Sequence, residues 1–270
     1  MPRIGSALQE LRAIESLAAR DTPLARHDPR AKLVATLLFV VTTASFERYA
    51  VAGLLPLALF PTVLAARGDV HGRLLARGLW LASPLALMVG LFNPLFDRAP
   101  MVELAGIDVS GGWVSFASIL VRFALTVSAA LVLVAGTGMP MLCAALGRLG
   151  VPQSFVTQLL LVYRYAFVLV DEAARMATAR QLRAPDQSRP GLSVYTAMVG
   201  HLLVRAVDRA QRVHRAMIAR GFDGSVLPTR PLRWRTRDTV FVVSWCAWFA
   251  LVRSVDLPGS LGAWLAATPA

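Results

Sequence analysis

Lysine is almost missing from this 270-residue chain: Lys32 is the only one among 28 Lys plus Arg. A glycine-rich loop closed by Lys-Ser or Lys-Thr, which cradles phosphates in nucleotide-hydrolysing proteins, is therefore excluded. Gly136-Thr137-Gly138 has neither that lysine nor a preceding strand. Histidine is scarce and scattered. His27, His71, His201 and His214 contain no i, i+3 or i, i+4 pair, so no two metal ligands share a helix face by spacing. The two cysteines, Cys143 and Cys246, lie in unrelated segments, which excludes a disulfide framework and a Cys-x-x-Cys site. The apolar stretches offer Ser83, Ser118 and Ser128 but no His, Asp or Glu to activate a nucleophile. The expectation is a chain without catalysis, metal or cofactor of its own.

What is abundant is apolar surface and arginine. The chain is 56% hydrophobic with mean hydropathy +0.57, too apolar for an ordinary soluble domain. A spanning helix needs roughly 20 mostly apolar residues. Residues 33–46, 49–66, 79–96 and 113–135 meet or approach this, and 240–252 is a shorter fifth that 257–267 could lengthen. The sequence predicts an all-α polytopic membrane bundle of about five spans. The first thirty residues mix arginines with carboxylates and lack an apolar core, so they do not read as a secretory signal. The first apolar stretch is expected to serve as the insertion signal and to stay in the protein.

The net charge of +12 follows from arginines placed between apolar stretches, a pattern of membrane orientation rather than of nucleic-acid binding. The N-terminal arm carries Arg3, Arg12, Arg20, Arg26, Arg30 and Lys32, the next loop only Arg48, the third Arg67, Arg73 and Arg77, and the fourth only Arg98. This alternation places the N-terminus in the cytoplasm of a bacterial inner-membrane protein and the acidic loop with Asp97, Glu103 and Asp108 outside. Three divisions follow: an arm with four spans over 1–139, a cytoplasmic region over 140–237, and the last span with the C-terminus over 238–270.

The cytoplasmic region holds 15 arginines against five carboxylates. It reads as two long helices separated by the proline- and glycine-containing stretch 184–191. Residues 155–170 are apolar but include Gln158 and Arg164 and run into Asp171-Glu172-Ala173-Ala174-Arg175, so a helix at the membrane surface is expected. The charges of that run are expected to form ion pairs along the helix. The second helix, 192–220, is amphipathic: Met198, Leu202, Leu203, Ala206, Ala210, Val213 and Met217 recur at helical spacing, and Arg205, Arg209 and Arg212 share another face as a possible interface. Gly221 stands where a helix C-cap glycine is favoured.

Two arginine positions carry the functional expectation. Ala179-Arg180-Gln181 lies near the end of the first long helix and Ala219-Arg220-Gly221 at the end of the second. An exposed guanidinium flanked by small residues can press into a groove and pair a carboxylate through two parallel hydrogen bonds. Two such helix ends suit one plug for each of two ATPase subunits. A third arginine, Arg122, lies nine residues after Trp113, about 13 Å along its helix, where it needs a partner. A subunit interface is expected for it, with an anionic substrate as the alternative.

At these residues the chain resembles the transmembrane T component of energy-coupling factor transporters, most closely the cobalt-transport branch. The resemblance rests on Asp28-Pro29-Arg30-Ala31-Lys32-Leu33, Leu91-Phe92-Asn93-Pro94-Leu95-Phe96, Asp171-Glu172-Ala173-Ala174-Arg175-Met176 and Arg215-Ala216-Met217-Ile218-Ala219-Arg220-Gly221-Phe222-Asp223-Gly224. Of the family's two Ala-Arg-Gly signatures the second is intact, and the first has Gln181 in the glycine place. The resemblance implies a non-catalytic coupling subunit. Its partners would be two ATP-binding-cassette subunits, which bind ATP and Mg2+, and a membrane substrate-capture subunit in the same bilayer, with cobalt, nickel or a vitamin as cargo. A conventional importer permease is a weaker rival, because its loop motif wants glycine where Thr178 follows Glu172-Ala173-Ala174. A membrane-embedded lipid enzyme is weaker still, for want of clustered acids.

Overall fold

The structure, a computed structural model, describes residues 20–47, 49–96, 100–104, 107–183, 191–224 and 232–254. The expectations for Arg3, Arg12, Arg48, Asp97, Arg98 and the stretches 184–190 and 257–267 lie outside the described residues. Nearly all of the rest is helical, and packing divides the described residues into two compact units, those of 20–138 with 232–254 and those of 139–224.

In the first unit α1 is Pro29–Ala44. A broken segment follows, with α2 at Val51–Leu54, a 3-10 turn at Leu55–Ala58 and α3 at Leu59–Arg67. The single span expected over 49–66 is thus three short pieces. Pro56 and Pro61 each fall in the opening positions of a piece, where a missing N–H breaks no helical bond. The long α4, Gly72–Phe96, begins seven residues earlier than 79, so Arg73 and Arg77 belong to its first turns rather than to a loop. Pro84 lies inside α4 and cannot bond the carbonyl of Trp80; the Ser83 hydroxyl donates to that carbonyl instead, at 2.8 Å. A two-stranded antiparallel hairpin, β1 Pro100–Leu104 and β2 Ile107–Ser110, joins α4 to α5, Gly111–Thr137.

Helix α5 is the axis of this unit and packs on α1, α3 and α4. The approach of α4 is close because Gly78 and Gly90 face it: a Cβ at those positions would sit 2.4 Å from Leu131 and 2.7 Å from Phe116. Asn93 adds a polar tie, donating to the Ser115 hydroxyl at 2.9 Å. The last helix of the unit, labelled α9 in chain order, is Thr236–Ser254. Its Trp245 and Phe249 join Phe39 of α1 and Phe60 of α3 in one aromatic cluster, with Phe39 and Phe60 stacked at 4.7 Å and fully buried. By contrast Trp80, Leu81, Leu85 and Met88 of α4 are each at least 66% exposed. Large apolar side chains facing outward on a long helix fit lipid rather than water.

The second unit holds α6 at Met139–Arg148, α7 at Gln153–Arg183 and α8 at Leu192–Ala219. Helix α7 packs on both of its neighbours. Among the described residues α4, α5 and α7 are long and apolar enough to cross a membrane by length and composition, whereas α1 has 16 residues and α9 carries Arg237, Asp238 and Arg253 within its 19.

Candidate functional site

The two arginine-bearing helix ends differ, and the difference traces to one residue. In α8 the helix stops because Gly221 adopts φ +77°, a left-handed conformation that costs a side-chain-bearing residue. The N–H of Gly221 donates to the Ile218 carbonyl at 2.9 Å and that of Phe222 to the Met217 carbonyl at 3.0 Å, the paired bonds of a Schellman cap. Arg220 is therefore the C-cap residue of the helix, exposed, with its neighbour Ala219 also exposed. Phe222 turns back over α7, and the Thr157 hydroxyl donates to the Gly224 carbonyl at 3.1 Å.

Helix α7 does not stop at Gln181. Glutamine has no need of a left-handed turn, and the helix continues to Arg183. Arg180 consequently sits inside the last turns, half-buried between α7 and α8, with one guanidinium nitrogen, Nη2, shielded from solvent and without a hydrogen-bond partner. Of the two arginines expected at helix ends, Arg220 is thus exposed and Arg180 half-buried.

Between the two helices lie two openings. One, about 620 Å³, is mostly apolar and is framed by Leu161, Val162, Tyr165, Val213, Met217 and Phe222. The other, about 760 Å³, lies toward the end of α7 and includes Arg180 and Arg205. Glu172 holds the helices together there: it accepts from Arg175 one turn along α7 at 2.6 Å, and from Arg205 across on α8. Sequence reading paired Glu172 along its own helix, and the pairing with Arg205 is the addition. Of the remaining interface candidates, Arg209 borders the apolar opening and Arg212 is exposed. No residue of α8 is buried, and Val199, Leu203 and Val204 are each at least 60% exposed. An amphipathic helix whose apolar side chains stay uncovered within its own chain awaits a partner or lipid.

In the other unit Arg122 donates to the backbone carbonyls of Phe46 and Glu47, just beyond the C-terminus of α1. Its depth in the chain is thus matched by an intrachain role, the capping of free carbonyls by a cation. The opposite end of α1 is tied by a buried polar knot that sequence reading missed. Asp28 caps α1 by accepting from the Arg30 N–H at 2.9 Å. Asp238, fully buried ahead of the apolar stretch of α9, accepts from the N–H of Asp28 and of Arg235, both at 3.0 Å, and faces His27 Nδ1 at 3.1 Å. Burial alone would raise the Asp238 pKa, but these donors outweigh it and hold the carboxyl below its ordinary value. Lys32, in the first turn of α1, donates to the Gly136 carbonyl at 3.2 Å, at the C-terminal end of α5. Burial pulls its ammonium down to about 8, against the opposing pull of Asp28 and Asp238. Among the described residues no three His, Cys, Asp or Glu side chains gather as a metal site.

The chain is 32% identical over 146 residues to the cobalt transport protein CbiQ of Salmonella typhimurium, covering 50% of this chain and 65% of that one. It is 41% identical over 93 residues to CbiQ of Rhodobacter capsulatus, covering 33% and 38%. An uncharacterized protein of Methanocaldococcus jannaschii is 30% identical over 80 residues, 29% of this chain and 30% of that one. The aligned stretches thus span under two thirds of these relatives' lengths. The model of the CbiQ cobalt transport protein family matches residues 20–230, which include α1 to α8 and both arginine-bearing helix ends, and the chain belongs to that family.

Proposed function

We propose that this membrane protein is the coupling subunit of an energy-coupling factor importer whose cargo is cobalt(II), and that it passes the motion of two ATP-hydrolysing partners to a membrane subunit that captures the ion. The observation that carries the reading is Arg220, held exposed at the tip of an α8 of 28 residues, roughly 42 Å long, by the Gly221 cap. A permanently charged fork at the end of a rigid lever matches an acidic groove on a moving partner. The second contact falls to Arg180 with Ala179 and Gln181, and ATP and Mg2+ belong to the ATPases. The uncovered apolar side chains of α8 are the natural seat of the capture subunit. In this reading the chain spans a bacterial inner membrane with its N-terminus and the arginine-bearing ends of both long helices on the cytoplasmic side, as the arginine distribution favours.

Cobalt is favoured by membership of the family, since a capture subunit would hold the ion. The test is uptake of radioactive cobalt by cells carrying the whole transporter. Replacement of both arginines, Arg180→Ala with Arg220→Ala, should abolish uptake while the protein still inserts at normal levels. Normal uptake by that double variant defeats the reading.

A further inference from the structure

The larger opening between α7 and α8 has a composition that ATPase docking does not require. Its charged lining consists of Arg175, Arg180, Arg183 and Arg205 with His201, against Glu172 alone. Among the described residues four arginines thus face one carboxylate, an excess of three positive charges in a cavity of about 760 Å³. Glu172 is already shared between Arg175 and Arg205, and those contacts hold two of the guanidinium groups in place. Among the described residues no carboxylate pairs with Arg180 or Arg183, and Nη2 of Arg180 is withdrawn from solvent with no acceptor. The first turn of α8 contributes Ser193 and Val194 to the same wall, so the positive end of a long helix lies against the cavity.

Like charges brought from two helices to one opening create a positive field that raises the local concentration of anions. A single carboxylate carries one charge and one plane of lone pairs, which leaves most of this lining unmatched. A phosphate group carries up to two charges and presents oxygens in several directions, and it accepts from guanidinium forks on both helices at once. We propose that this cavity binds a phosphate group, borne by an anionic lipid headgroup or by a soluble phosphate. The site includes Arg180, so its occupation would bear on the coupling contact, but binding itself is a property of this chain alone and needs no ATPase.

The experiment uses the purified full-length chain in detergent. Its thermal midpoint is followed against inorganic phosphate, with chloride and acetate at equal ionic strength as controls, and against added phosphatidylglycerol or phosphatidylcholine. A saturable rise with phosphate identifies a soluble-phosphate site, and a rise confined to phosphatidylglycerol identifies the lipid headgroup; either supports the proposal. Arg183→Gln, at the exposed helix end, should weaken binding about tenfold, the loss of one charge-assisted contact, and Arg180→Gln with Arg183→Gln should weaken it further. Arg148→Gln, an exposed charge of α6 outside the cavity, should bind as the parent does. No response to either phosphate source, an equal response to acetate, or unchanged binding in Arg183→Gln and the double variant overturns it. ATPase association, measured separately, reports on the coupling reading whatever this outcome.

Discussion

At Gly221 a single hydrogen atom in place of a side chain decides where α8 ends. The left-handed φ of +77° places Arg220 at the tip, and a Cβ there meets no neighbouring atom within 4 Å, so the cost of Gly221→Ala is conformational, about 1–2 kcal/mol. That variant should keep its fold yet bind ATPase subunits more weakly, measured by co-purification from detergent. Asp238 supplies a second residue-level prediction. Its carboxyl is held below the ordinary value, so its stabilisation is present above about pH 4 and is lost as pH falls through the lowered pKa. Asp238→Asn should destabilise the membrane unit by about 1–3 kcal/mol at pH 7, through donors left facing an amide. The gap in thermal midpoint between parent and variant should shrink toward pH 3, and a gap constant with pH contradicts the role given to the charge. Gly221 was legible in the sequence because a C-cap glycine is a local signal. The Asp238 knot was not, because its partners His27 and Asp28 lie 211 and 210 residues away and no short-range pattern links them.

Among the elements, glycines of similar helical setting have opposite meanings, set by what they touch. Gly90 of α4 lets Phe116 of α5 approach so closely that an added Cβ would sit 2.7 Å from its ring, whereas Gly200 of α8 has nothing within 4 Å. Gly90→Leu should lower the thermal midpoint of the purified chain, through overpacking of about 1–3 kcal/mol. Gly200→Ala should raise it, by up to about 1 kcal/mol of helix propensity. Equal effects of the two would contradict the packing described for α4 on α5. The helices themselves were legible as apolar stretches and as an amphipathic period in α8, since both signals are local. The breaks in 49–66 were not anticipated, although Pro56 and Pro61 stood in the sequence, because hydropathy reads apolarity and not backbone hydrogen bonding. The half-buried position of Arg180 follows from Gln181, whose departure from glycine was visible. Its consequence, a helix that runs on to Arg183, needed the backbone.

For the whole molecule, the first unit pairs polar groups from distant parts of the chain, whereas in the second α8 leaves apolar side chains and Arg220 uncovered. Arg122 illustrates the first, since it caps carbonyls of its own chain. The second suits the proposed lever between subunits through stiffness along its length, from α7 braced on α8 by Glu172 and Arg205, and uncovered side chains at its surface. The most direct test is site-specific photo-crosslinking in native membranes from residues 180 and 220, each replaced by a photoreactive amino acid in the otherwise unaltered transporter. Crosslinks from both positions to the ATP-hydrolysing subunits on the cytoplasmic side are the predicted result. Crosslinks from both positions to lipid alone, or labelling of them only from the outer face, would contradict the account.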